Sequence, residues 1–161
     1  MQLGRVPFAF PNTQARVRAV RYHDLHHVVT GYATDVVGEA EIAAWEIATG
    51  CAGFVAAWVL NLYALPLGLA TDAGATWRAF LRGRCTHNLY RAVYDEALLA
   101  ERVGDVRARL GLGATSAESP RAPKLADRAA FAAWVAASLA LWGASLALLA
   151  APLVLAVAAL R

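Results

Sequence analysis

Three of the chain's four histidines fall within five positions, at His23, His26 and His27, with Asp24 beside the first and Glu39 a short way on. His23 and His27 are four apart, so on a helix their imidazoles stand one turn above the other and can converge on one ion. Asp24 sits about 100° round the helix from His23. From there it can reach the same ion from the flank or orient a ligand. Glu39, in the first turns of a following helix, supplies an opposing carboxylate once the intervening turn folds the two helices together. Two imidazoles and carboxylate oxygens suit zinc or another first-row divalent ion and leave a position open for water or substrate. A plainer reading stands beside this one. His, Asp and Glu collect at helix ends because they are soluble and complement the helix dipole, Glu39 in particular near a helix N-terminus.

Other chemistries find less support. His23, His26 and His27 also spell the His-x-x-His-His box of membrane desaturases and hydroxylases, but such enzymes need several boxes to hold two irons, and only His87 remains. His26 is then a group supporting the ligands or a surface group, off the His23 and His27 face. Cys85 and His87 have no second pair to complete a metal site and read as ordinary helix content. The sequence has no Gly-rich phosphate loop, and no serine sits in a nucleophile-elbow context.

The elements that must position these residues are helical. After an extended lead-in from Met1 to Pro11, Asn12 or Thr13 can cap a helix that stops at Gly31. Thr34 or Asp35 can cap the next, which runs on through Trp45 and the apolar stretch 51–70, broken only by Asn61 and Pro66. That stretch is either a core helix or a lipid-facing one. A turn at Asp72 to Gly74 precedes a helix from Thr76 to Leu99, and a short one over 103–110 ends at Gly111. No run keeps a strand's alternation. The fold class expected is all-α, a small helical bundle head over residues 1–112.

Residues 113–128 then form a linker, small, polar and Pro-rich at first. The 32 residues from Ala129 to Leu160 carry no charge. At about 1.5 Å per residue they would extend roughly 48 Å, enough for one membrane span and not for two. Arg121, Lys124 and Arg128 precede this stretch and Arg161 alone follows it, which by the positive-inside rule places the head in the cytoplasm. An apolar fraction of 59% with only 17% charged residues agrees with contact to lipid. The net charge of +3 is spread along the helices rather than gathered with aromatics, which argues against nucleic acid as a partner. Cys51 and Cys85 suit no disulfide framework, and the N-terminus lacks a signal peptide's pattern.

With these residues in view, the chain resembles the Coq-four family of coenzyme Q (ubiquinone) biosynthesis, whose hallmark is His-Asp-x-x-His, eleven residues, then Glu. Here these are His23, Asp24, His27 and Glu39, with glycines at Gly31 and Gly38 where the family pattern has them. Gly83 with Arg84, Glu96 and the run from Val106 are similar to the family's C-terminal half, so the resemblance covers roughly residues 15–112. It implies an all-helical, membrane-associated protein that binds a divalent ion, zinc or similar, through His23, Asp24, His27 and Glu39. It implies a greasy path for a polyprenyl tail, with Gly53 to Leu69 as one wall. The activity implied replaces the ring carboxylate of a polyprenyl aromatic acid with hydroxyl, an oxidative decarboxylation. Arg84 would bind the substrate's carboxylate or a phosphate, or else pair structurally with Glu96. Two features depart from the family: fewer residues precede the motif, and an apolar tail follows. The alternative is a non-catalytic prenyl-lipid-binding scaffold for quinone-biosynthesis enzymes, with a structural metal. A homo-oligomer is compatible with either.

Overall fold

The structure, a computed structural model, describes residues 2–3, 6–7, 13–113 and 121–159. Part of the expected linker, 114–120, and the last two residues, 160–161, lie outside the described residues, as does most of the lead-in. Two short strands, β1 (Gln2–Leu3) and β2 (Val6–Pro7), pair antiparallel, and everything else with regular structure is helix.

Helix α1 (Gln14–Thr30) starts where Thr13 Oγ1 accepts the Arg16 N–H at 3.2 Å and stops at Gly31, whose φ of 79° is left-handed. Helix α2 (Val36–Thr49) is capped by Asp35, which accepts the Gly38 N–H at 2.8 Å. Gly38 has no room for a side chain, because a Cβ there would lie 2.0 Å from the Ala33 carbonyl oxygen. The connection from Gly31 to Asp35 can therefore lie flat against the start of α2. From Ile42 to Ile47 every residue of α2 is buried, so this helix is covered on all sides and forms the centre of the core.

The chain departs here from the expected single long helix. It breaks at Gly50 and re-forms as α3 (Val55–Gly83). The turn expected at Asp72 to Gly74 is a kink within α3. Asp72 takes φ −150° and ψ 90°, and its Oδ1 accepts the Ala75 N–H at 2.8 Å, capping the second half of the helix. The stretch 51–70, read as core or lipid-facing, has one face in the core and one exposed. Ala57, Asn61, Leu65 and Gly68 are buried, while Val55, Val59, Leu60 and Leu67 are exposed.

No helix spans Thr76 to Leu99. Past Gly83 the backbone bonds elsewhere: the Leu89 N–H donates to His26 Nε2 at 3.0 Å and the His87 N–H to the Leu110 carbonyl at 2.9 Å. These long-range partners outweigh helix propensity. Short helices α4 (Glu96–Ala100) and α5 (Val103–Arg109) follow.

Helix α6 (Leu125–Ala159) begins four residues before the charge-free stretch, and its first half belongs to the fold. Phe131 meets Trp77 and Phe80, each with ring centroids 5.0 Å apart, and Trp134 stacks on Trp58 at the same distance. Trp142 Nε1–H donates to the Tyr63 carbonyl at 3.2 Å, and the Tyr63 and Ser145 hydroxyls are hydrogen-bonded. At its base Asp127 is buried. It accepts from Arg121 at 2.6 and 2.9 Å, from Arg84 at 3.3 Å and from the Lys124 N–H at 2.9 Å. These donors hold its carboxyl well below the usual carboxylate range, Arg121 most of all. Farther along, Leu148 and Leu149 are each 76% exposed. Among the described residues two helices, α3 and α6, are long and apolar enough to cross a membrane.

Candidate metal centre

His23, His27 and Glu39 come together at the junction of α1 and α2, each offering an atom within 4.8 Å of the others. The four-residue spacing on α1 brings the imidazoles edge to face with centroids 4.9 Å apart. Glu39 stands in the first turn of α2, where the flat Gly31–Asp35 connection brings it back over α1.

The hydrogen bonds assign the ring protons. His27 Nδ1 lies 3.1 Å from the Tyr32 carbonyl oxygen, which can only accept, so Nδ1 carries hydrogen and Nε2 presents a lone pair when the ring is neutral. His23 Nδ1 lies 3.1 Å from Glu46 Oε1 and its Nε2 3.3 Å from Glu39 Oε2, both acceptors, so a cation at Nε2 would leave the hydrogen on Nδ1 facing Glu46. The two Nε2 atoms face each other at 3.3 Å, and Glu39 adds Oε2 at 3.3 Å from His23 Nε2 and Oε1 at 3.6 Å from His27 Nε2. Two facing lone pairs repel unless a proton or a metal cation lies between them. Ligands about 2.0–2.1 Å from a tetrahedral zinc are about 3.3–3.4 Å from one another, so the His23–His27 and His23–Glu39 separations fit such an ion, while His27 is nearer the other Glu39 oxygen. Side-chain exposure of 24% at His23 and 28% at Glu39, against 8% at His27, leaves one side open for a further ligand.

In the metal-free protein a proton takes the cation's place. Burial pulls the His23 imidazole down, but hydrogen bonds and charge from Glu39 and Glu46 outweigh it and hold His23 at about 10. Glu39, hydrogen-bonded by His23 and then His27, falls to about 2. His27 is likewise raised, burial being outweighed chiefly by Glu39.

Of the other residues singled out in the sequence, Asp24 is exposed and stands outside the convergent set. His26 is no surface group. It is fully buried, with Nδ1 2.6 Å from Glu46 Oε1. Arg84 bonds to Asp127 at the base of α6 rather than to Glu96.

Sequence reasoning passed over Glu46 and the Tyr32 carbonyl. Glu46 is fully buried, and its Oε2 accepts from Asn61 Nδ2 at 2.6 Å and from the Tyr90 hydroxyl at 2.7 Å. A lone carboxylate in the apolar run from Ile42 to Ile47 was the available signal, because a buried charge must have partners. The Tyr32 carbonyl left no signal, being backbone. Burial works against the Glu46 carboxylate, yet hydrogen bonds from His23 and His26 hold its pKa below the ordinary range. Burial and the Glu46 charge push the Cys51 thiol and the Tyr90 hydroxyl up.

Comparison of the chain with protein-family models, with curated proteins and with solved structures returns no match.

Proposed function

We propose that this protein is a membrane-anchored, metal-dependent enzyme similar to the Coq-four family, acting on a prenylated aromatic acid. The observation that carries the metal reading is the pair of Nε2 atoms at 3.3 Å, both with their Nδ1 committed to acceptors and with Glu39 alongside. His23, His27 and Glu39 would hold the ion, zinc or a similar divalent cation. When bound, such an ion supplies Lewis-acid polarisation of a carboxylate or water. Replacing a ring carboxylate with hydroxyl releases carbon dioxide and oxidises the ring carbon by two electrons, so dioxygen would take part as the oxidant, with water giving the hydroxyl oxygen and dioxygen leaving as hydrogen peroxide.

The chain's own contribution is to bind and orient. The exposed apolar face of α3, Val55, Val59, Leu60 and Leu67, offers a wall to a prenyl tail, and the open side of the cluster admits its polar head. Arg84 ties α6 to the head through its Nε, 3.3 Å from Asp127 Oδ1, and its half-exposed guanidinium would also reach a substrate carboxylate or phosphate. The latter part of α6 crosses the bilayer once, with the head on the cytoplasmic side. Turnover tests the activity: the zinc-loaded protein in the presence of dioxygen releases carbon dioxide from a carboxyl-labelled prenylated hydroxybenzoate, and His23→Ala abolishes the release.

One observation favours a second reading. The ligands come from two helices, so an ion there also clamps α1 to α2, as a structural metal in a lipid-binding scaffold would. Zinc-loaded protein that binds prenylated acids but releases no carbon dioxide from any of them supports the scaffold.

A further inference from the structure

The buried group beneath the cluster has a purpose that the ligands alone do not explain. Glu39 and Glu46 are seven apart on α2, two turns along one face, and His23 spans them, with Nε2 toward Glu39 and Nδ1 toward Glu46. Both Glu46 oxygens are fully used. Oε1 accepts from His23 at 3.1 Å and from His26 at 2.6 Å, and Oε2 accepts from Asn61 at 2.6 Å and Tyr90 at 2.7 Å. The role of His26 in this set is fixed from outside. Its Nε2 receives the Leu89 N–H at 3.0 Å, so its hydrogen sits on Nδ1 and points at Glu46. The four donors come from α1, α3 and the segment after α3, which together pin a carboxylate of α2 that is 0% exposed.

Resting on the metal reading above, we propose that Glu46 is the positioning residue of the centre. It locks His23 in the tautomer whose Nδ1 carries hydrogen, and so presents the Nε2 lone pair to the ion. His26, Asn61 and Tyr90 hold Glu46 in place for that task. Only a group that accepts at both ends fits here. An amide would place an NH₂ against either the two imidazole N–H groups or the Asn61 and Tyr90 donors. In the first case His23 must move its hydrogen to Nε2 and lose its ligating lone pair. Carboxylate partners of ligating histidines are worth about 10–100-fold in metal affinity.

The full chain in detergent micelles, with ¹⁵N-labelled histidine and zinc as the probe, provides the test. Long-range proton–nitrogen correlation reads which nitrogen of His23 binds zinc, and competition with a chromophoric chelator reads affinity. The wild-type protein binds zinc through His23 Nε2 with Nδ1 protonated. Glu46→Gln lowers zinc affinity about 10–100-fold and shifts the His23 nitrogen signals away from that tautomer. Tyr90→Phe removes one of the two bonds to the other oxygen, lowers zinc affinity less than Glu46→Gln does, and keeps the His23 tautomer because Asn61 and His26 still hold the carboxylate. Zinc bound through His23 Nδ1 in the wild type overturns the assignment, and this holds even if Glu46→Gln does not fold. Unchanged affinity and tautomer in a folded Glu46→Gln overturn it as well. No zinc uptake by the wild type removes the metal reading itself, a result distinct from uptake that ignores Glu46.

Discussion

At the scale of single residues, a proton at His23 holds the place that the proposed metal ion would take. The folded His23 titrates at about 10 against an ordinary 6.5, so the stability it contributes to the metal-free protein is complete below pH 6.5 and is lost as pH rises through 10. Glu39 titrates at about 2 against 4.5, so its contribution is complete above pH 4.5 and is lost as pH falls through 2. Thermal unfolding of metal-free protein should therefore show greatest stability between these limits, falling toward pH 10. A flat profile from pH 6 to 10 would show that His23 does not carry the proton assigned to it. Zinc must displace that proton, so its affinity should rise roughly tenfold per pH unit through neutrality, with proton release seen in calorimetry in buffers of different ionisation enthalpy. Affinity independent of pH between 6 and 8 contradicts this.

At the scale of elements, the outcome rests on how α1 and α2 are joined. Gly38→Ala places a Cβ on the Ala33 carbonyl and must push the connection off α2. It should cost about 1–3 kcal/mol in chemical denaturation and weaken zinc binding, because Glu39 is the next residue. Wild-type stability and affinity in that variant would mean that the close approach does not matter. The sequence made this junction legible: the cap at Thr13, the stop at Gly31, the cap at Asp35 and the i, i+4 histidines all follow local rules. The region after Gly83 was not legible. Its residues have helical character, but Leu89 gives its N–H to His26, sixty-three positions away, and no local pattern records that. Glu46 was hidden for a related reason. A single carboxylate in an apolar run shows that partners exist, but Asn61 and Tyr90 become its partners only once α3 and the following segment fold over α2.

At the scale of the whole molecule, α6 is both part of the core and the most apolar surface. Phe131 and Trp134 close over Trp77, Phe80 and Trp58, so a chain ending before Leu125 uncovers that aromatic layer. Such a truncation should unfold at lower temperature than the full chain in the same detergent. Equal melting temperatures would make α6 a mere tether. The same helix should keep the full chain in the membrane fraction through alkaline carbonate extraction, as a spanning helix does, and release by carbonate would contradict the anchor. The central claim, that His23, His27 and Glu39 form a metal centre, is met most directly by elemental analysis of the purified full-length protein after zinc loading and exhaustive dialysis. One zinc per chain is expected, lost in His23→Ala and in Glu39→Ala while both variants keep the helical circular dichroism of the wild type. No stoichiometric zinc in the wild type, or zinc retained unchanged in both variants, would contradict it.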